Sequence, residues 1–238
     1  MEAYAAAKGR LFRLQTPHDV AILPSALADT FDQGAARRVF FDTAGFSLPP
    51  YFDSLPPHEM ENLRAAITSV ISFLPDFDPA AIPEGTVRAA FSLPHRLEEV
   101  GKVNGVRVIN DSKSTNPASA IAALRATEGN IVLLIGGRSK GAGYEDLARA
   151  VKGHDLRKTV AYGEAAGELS SIFSRFGIGI DTVGGLEEGI SLSLAAAKPG
   201  DILLFSPACS SFDRFTDYIE RGKEFVRLIS RLPGFSQE

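Results

Sequence analysis

The sequence has a single cysteine among 238 residues, Cys209, so it can form neither an intramolecular disulfide nor a cysteine-based zinc site. A reducing compartment, the cytoplasm, is the expectation. Excess charge is also small: 29 acidic against 25 basic side chains leave a formal net charge of -4. That supplies none of the basic field needed for sequence-independent nucleic-acid binding, so no nucleic-acid partner is expected. Long hydrophobic runs are missing. The apolar stretches are a strand's length, well short of the ~20 residues that span a bilayer. The opening MEAYAAAKGRLF carries Glu2, Lys8 and Arg10 in place of a secretory apolar core. No membrane partner is expected. No G-x-x-x-x-G-K-[ST] occurs in the chain, so it has no P-loop to cradle nucleotide phosphates.

What is present is ordinary globular material, 45% hydrophobic and 23% charged, enough for one large domain or two small ones. Residues 1–12 have helix-forming composition, and VAILPS and RRVFFD read as short strands. Pro49, Pro50, Pro56 and Pro57 punctuate the chain before HEMENLRAAITSVISFL, where Met60, Leu63, Ile67, Val70, Ile71 and Leu74 recur at helical spacing. From about residue 93 strands and helices alternate: RVIND, PASAIAALRAT, NIVLLIGG, YEDLARAVK, KTVAYG, AAGELSSIFSRF, IGIDTV, LEEGISLSLAAA, DILLFSP, and a helix over FDRFTDYIERGKEFVRLIS. Parallel strands need helical crossovers, so this alternation predicts an α/β, Rossmann-like domain with a mainly parallel sheet. In such sheets ligands sit at the carboxyl ends of strands. The loops after RVIND, LLIGG and LLFSP are therefore the places to look for chemistry.

The first of these loops runs Asn110, Asp111, Ser112, Lys113, Ser114, Thr115, Asn116, with Pro117 opening a helix. It admits two readings. Thr115 or Asn116 caps the helix, with Pro117 at its first position; or the helix N-terminus and Lys113 hold a phosphate or carboxylate. Capping accounts for neither Asp111 nor Lys113. Cys209 is rejected as a nucleophile because no histidine lies near it in sequence, and His95 is read as ordering its turn. The glycines of GGRSKG lack P-loop spacing and serve a tight turn that lets Lys140 point at a carboxylate. Alone, Lys8 is a surface lysine and Arg96 half of a surface ion pair.

Three segments in order, PHRLEEVGKVNGVRVINDSKSTNP, LLIGGRSKG and LLFSPACSSFDRF with the later ERG, resemble the C-terminal half of the Mur ligase family, in particular its D-glutamate-adding branch. Asp111-Ser112-Lys113 is the discriminating feature, because sister ligases carry a tyrosine near the aspartate and another residue at the lysine position. The resemblance implies residues 1–92 as the last part of a central ATPase domain lacking its P-loop. It implies 93–238 as a Rossmann-like C-terminal domain binding amino acid and nucleotide, and a missing N-terminal half. It further implies ATP and Mg2+ as requirements, and D-glutamate and UDP-N-acetylmuramoyl-L-alanine as partners. Lys8, in YAAAKGRLF, would be carbamylated and help hold magnesium, an oxygen-seeking cation. Asn62 would contact adenine, although Glu59 replaces the asparagine usual at the first position of His-Asn-x-x-Asn. Arg96 would approach the nucleotide and Asp111 its ribose. Lys113 would serve phosphates and the incoming amino acid, the catalytic role it shares with Lys8. Thr115, Lys140, Ser211 and Tyr218 would surround the D-glutamate carboxylates, Tyr218 through its main chain or ring face. The alternatives are a non-catalytic Rossmann-like binding module, a truncated product, or another Mur or folylpolyglutamate-type amide ligase. The first part, deprived of its nucleotide-binding strands, is expected to be the less stable.

Overall fold

The apolar runs beyond residue 93 fold as one sheet whose successive side chains face opposite layers. In strand β5 (Ile131–Gly136), Ile131, Leu133 and Ile135 enter one buried cluster and Val132 and Leu134 the other, all of them 0–1% exposed. A strand buried on both faces must read as a continuous hydrophobic run, as IVLLI does. The computed structural model describes residues 2–55, 57–91, 93–141, 143–154 and 156–237. The chain divides into two units, 1–91 and 92–238.

In the second unit the elements are β3 (Glu98–Val103), β4 (Val106–Asn110), α4 (Pro117–Ala126), β5 (Ile131–Gly136), α5 (Tyr144–Lys152), β6 (Lys158–Tyr162), α6 (Ala166–Arg175), β7 (Asp181–Val183), α7 (Leu186–Ala196), β8 (Ile202–Ala208), α8 (Tyr218–Ser230) and β9 (Phe235–Ser236). The seven-stranded sheet has the order β7-β6-β5-β8-β4-β3-β9. Strands β4 to β8 run parallel, as expected, and β3 and β9 add an antiparallel edge. Helices α4, α5 and α6 cover the face bearing Leu133 and Leu204, while α7 and α8 cover the one bearing Leu134 and Phe205. Strand β8 thus lies between β4 and β5, which brings the three candidate loops side by side at one sheet edge.

The structure departs from sequence expectation in several places, a helix over Glu84–Phe91 and strand β9 being further elements that were not expected. β3 was not expected; the Asn104-Gly105 turn, with φ of 49° and 81°, folds it back on β4. Two successive positive φ angles are what a two-residue hairpin turn requires. The strand expected over IGIDTV shortens to Asp181–Val183. The last helix begins at Tyr218, not at Phe212. There Asp217 caps it by accepting from the Glu220 amide at 2.7 Å, and Glu220 reaches back to the Thr216 amide at 2.7 Å. This capping box fixes the start and leaves 212–216 as loop.

The first unit comprises α1 (Glu2–Arg13), β1 (Val20–Leu23), β2 (Arg37–Phe40), α2 (Pro57–Phe73), α3 (Glu84–Phe91) and short 3-10 turns. β1 and β2 form a two-stranded parallel sheet. Arg64 on α2 donates to the carbonyls of Phe41 at 3.2 Å and Ala44 at 2.8 Å, and lies 5.0 Å above the Phe46 ring. Of the apolar stripe expected there, Ile67 is buried and Val70 is 37% exposed, while Leu74, 61% exposed, falls just past the end of α2. Both large hydrophobic clusters lie in the second unit.

Backbone amides with little apolar burial exchange through low-energy openings. Hydrogen exchange is therefore expected to protect Ile202–Ala208 far longer than Val20–Leu23. Gly136 has φ +138°, and a Cβ there would sit 2.1 Å from the Tyr162 carbonyl; Gly136→Ala is expected to cost more than ~2 kcal/mol in urea unfolding. Gly141→Ala, with φ +68° but open space around it, should cost only ~1 kcal/mol.

Candidate functional site

The site is built from the loops that leave β4, β5 and β8. Asp111 leaves β4 with its amide bonded to the Phe205 carbonyl of β8 at 2.8 Å. Its carboxylate accepts from the Ser206 hydroxyl at 2.7 Å and from the Leu97 amide at 3.3 Å. Burial in this crevice raises its pKa to about 6, against the opposing influence of Ser206, the Leu97 amide, the Arg96 charge and Ser114. Desolvation dominates because the side chain is only 5% exposed. Asn116 caps α4, accepting from the Ser119 amide at 2.9 Å, with Pro117 at the first helical position. The capping reading therefore holds, and Asn116 is the residue that does it.

Arg221, on α8, is fully buried. Its Nε donates to Ser112 Oγ at 3.0 Å, Nη2 to the Ser112 carbonyl at 2.8 Å and Nη1 to the Cys209 carbonyl at 3.0 Å. Ser112 Oγ in turn donates to the Tyr218 carbonyl at 2.8 Å. One guanidinium thus joins the loop after β4, the loop after β8 and the start of α8. The loops after β5 and β8 are zipped directly, Arg138 and Ser210 exchanging amide-carbonyl bonds of 2.8 and 3.0 Å. Gly137 permits this approach, since a Cβ on it would lie 2.3 Å from the Ser210 carbonyl.

His95 closes the other side. Its carbonyl accepts from the Lys113 amide at 2.9 Å, its amide donates to Glu98 Oε2 at 2.9 Å, and its Nδ1 lies 2.9 Å from Asn110 Nδ2. The ring packs on Gly222 of α8, where a Cβ would fall 2.4 Å from Nδ1. His95 and Leu97 both take positive φ, 64° and 45°, so the PHRL turn is held in a strained form by these bonds.

Of the residues singled out from sequence, Asp111 and Ser211 are buried in the crevice, and Arg96, Lys113, Thr115 and Tyr218 are half-buried around it. Lys140 is exposed on the loop after β5. Lys8 and Asn62 are exposed side chains of the first unit, and Glu59 is buried there. Tyr218 enters through its main chain, by the Ser112 bond. Sequence reasoning gave no role to Arg221, Ser206, Asn110 or Glu98. For Arg221 the signal was present in the Glu220-Arg221-Gly222 segment; the glycine that admits the His95 ring is adjacent. Cys209 is buried with Sγ 3.3 Å from the Tyr144 hydroxyl, and burial pushes its pKa up to about 11. That suits packing, not nucleophilic attack. Among the described residues no group of three His, Cys, Asp or Glu side chains could hold a metal, and no helix is long and apolar enough to cross a membrane.

Residues 95–209 match the family model described as Mur ligase, glutamate ligase domain. UDP-N-acetylmuramoylalanine--D-glutamate ligase of Pelotomaculum thermopropionicum is 34% identical over 98% of this chain and 56% of its own length. The enzyme of the same name from Oleidesulfovibrio alaskensis is 36% identical over 97% of the chain and 50% of its own. The chain thus spans about half the length of the curated relatives it matches. Among solved structures, MurF ligase from Thermotoga maritima in complex with ADP superposes with a TM-score of 0.63 at 18% identity, covering 95% of this chain and 58% of that one. A bifunctional folylpolyglutamate synthase/dihydrofolate synthase from Yersinia pestis gives 0.63 at 15%, covering 95% and 56%. At such identities these two establish the Rossmann-like α/β fold and nothing finer.

The raised pKa of Asp111 has a sign. A carboxyl lifted from 3.8 to about 6 is charged at cost in the folded protein at neutral pH. As pH falls from about 6 towards 4 the folded state takes up a proton and recovers stability, on the order of 3 kcal/mol at most. Asp111→Asn mimics the neutral form. Urea unfolding at pH 7 and pH 4.5 should find the variant gaining on wild type at pH 7 and losing that advantage at pH 4.5. An unchanged difference between the two pH values would show that the burial cost lies elsewhere.

Proposed function

The chain belongs to the Mur ligase family, and we propose that it is the C-terminal portion of the ATP-dependent ligase that joins D-glutamate to UDP-N-acetylmuramoyl-L-alanine in peptidoglycan synthesis. The observation that carries this reading is the Asp111-Ser112-Lys113 loop, locked by Arg221 against Cys209 and Tyr218 at the carboxyl ends of β4 and β8. It is the sequence feature that separates the D-glutamate branch from its sisters, and it stands where an open parallel sheet binds ligands. Cytoplasmic placement is part of the proposal.

Residues 1–92 are proposed as the end of the central ATPase domain and 93–238 as the domain for amino acid and nucleotide. Lys140, Ser211, Thr115 and the main chain at Tyr218 hold the D-glutamate carboxylates, so that its amino group points at the acyl carbon. Lys113 offers its ammonium to the phosphate side of the same space. Asp111 takes a ribose hydroxyl: each of its oxygens accepts one bond from protein and keeps a lone pair. Arg96 and Asn62 complete the nucleotide contacts. Bound ATP would supply the phosphoryl group that activates the substrate carboxylate as an acyl phosphate, from which the D-glutamate amine would displace inorganic phosphate. The described residues do not by themselves form a magnesium site. Lys8, once carbamylated, contributes one oxygen-bearing ligand to a site built with other parts of the complete enzyme. Alone, with no P-loop to neutralise developing phosphate charge, the chain is a binding half and not a catalyst.

Isothermal titration with D- and L-glutamate tests this reading. D-glutamate is expected to bind at least ~10-fold more tightly than L-glutamate, and Lys140→Ala to lose ~10-fold or more by removing a charge-assisted bond to a carboxylate. Equal affinity for the two enantiomers, or none for either, sinks the assignment for this chain.

A further inference from the structure

Asp213 lies in the loop between β8 and α8, and both its carboxylate oxygens are buried without a hydrogen-bond partner. Oδ2 rests against Gly163, where a Cβ would lie only 2.6 Å away. Gly163 in turn touches Gly137, its would-be Cβ 3.3 Å from the Gly137 amide, and a Cβ on Gly137 would come 3.1 Å from Arg221 Nη1. The backbone at Gly163 and Gly137 thus neighbours both the Asp213 carboxylate and the Arg221 guanidinium, with the fully buried Tyr162 ring close to both charges. Arg221 makes its bonds to Ser112 and Cys209, none to a carboxylate. A buried cation and a buried anion in one low-dielectric crevice lower each other's cost even without direct contact.

We propose that Asp213 is a positioning residue for D-glutamate recognition, its negative charge holding Arg221 in the arrangement that ties the Ser112 loop to the Cys209 loop. The recognition role rests on D-glutamate being the ligand, as proposed for the complete enzyme. Charges acting on Asp213 come from every element packed around it: Arg221 from α8, Glu164 after β6, and Arg138 after β5. Its charge bears in turn on the Tyr162 hydroxyl of β6 and on Cys209 at the end of β8. Arg138 is engaged with Glu164 at 2.8 Å, so Arg221 is the cation left to balance it. Desolvation raises the Asp213 pKa, opposed first by the backbone amides of Asp213 and Arg214 and then by the Arg221 charge.

The test compares Asp213→Asn, which keeps shape and removes charge, with the whole wild-type chain. Amide exchange should accelerate ~10-fold or more at Lys113, Arg138 and Ser210, since loss of one buried charge loosens its partner's bonds. The Ile131–Gly136 amides should be unmoved. Wild-type D-glutamate affinity should weaken on acidification as Asp213 gains its proton, while the variant starts weak and lacks that part of the pH dependence. A merely space-filling aspartate predicts neither effect, so a variant matching wild type in exchange and pH profile overturns the proposal. If the variant does not fold, the pH dependence of wild-type exchange at Ser210 carries the same decision: acceleration on acidification supports the proposal and constancy overturns it. If wild type binds no D-glutamate yet the exchange effect appears, the charge coupling stands and the recognition role falls.

Discussion

One buried guanidinium sets the geometry on which everything else at the strand ends depends. Arg221 spends its donors on the backbone and hydroxyl of Ser112 and on the carbonyl of Cys209, groups that belong to loops nearly a hundred residues apart in sequence. A planar fork can do this because its donors are fixed relative to one another. A lysine ammonium could meet at most part of the same set. The discriminating loop is therefore held at Ser112, while the Asp111 carboxylate braces the Leu97 turn and Ser206. His95 does the corresponding work on the other flank, with Gly222 beside Arg221 giving its ring room. Two neighbouring residues of one helix thus fix both sides of the crevice.

Most of the second unit was legible in the sequence because its parallel strands are buried on both faces and have to be written as unbroken apolar runs. IVLLI and ILLF cannot be mistaken for surface. β3 was not legible for the complementary reason. Glu98, Glu99 and Lys102 interrupt it, and an edge strand with one half-solvated face has no need of continuous hydrophobicity. The start of α8 was misjudged because Phe212 and Phe215 mimic a helical stripe; the capping box at Thr216 to Glu220 decides the boundary, and its residues are polar and easily read as loop. At the site, Asp111 and Lys113 stood out as unusual chemistry in the loop after β4, whereas Ser211 was named only through the family resemblance. Arg221 did not stand out, since arginine is almost always a surface residue, and the one local sign of its enclosure is the adjacent Gly222.

The first unit shows what partial length does to a fold. β1 and β2 pair in parallel over four residues each, yet parallel sheets normally occur with both faces covered by helices. Apolar side chains at the end of α2 stand in solvent, with Val70 37% and Phe73 70% exposed, as does Leu74 just beyond it at 61%. Relatives of this chain are about twice as long, and surfaces of this kind belong to elements that expect neighbours. Arg64, stacked on Phe46 and bonded to two carbonyls, is what holds α2 to the segment after β2.

The margins of the seven-stranded sheet have a consequence of their own. The outermost strands are β7, three residues long, and β9, two residues long. β9 covers only Lys102 and Val103 of its neighbour β3; the remainder of β3 carries Glu98 and Glu99 and is displaced in register around Gly101. Short margins, like charges and an irregular ladder give a foreign strand little to pair with. A domain whose interior is so rich in β-branched and leucine runs is thereby kept from polymerising through its borders. That protection is built into the sheet itself.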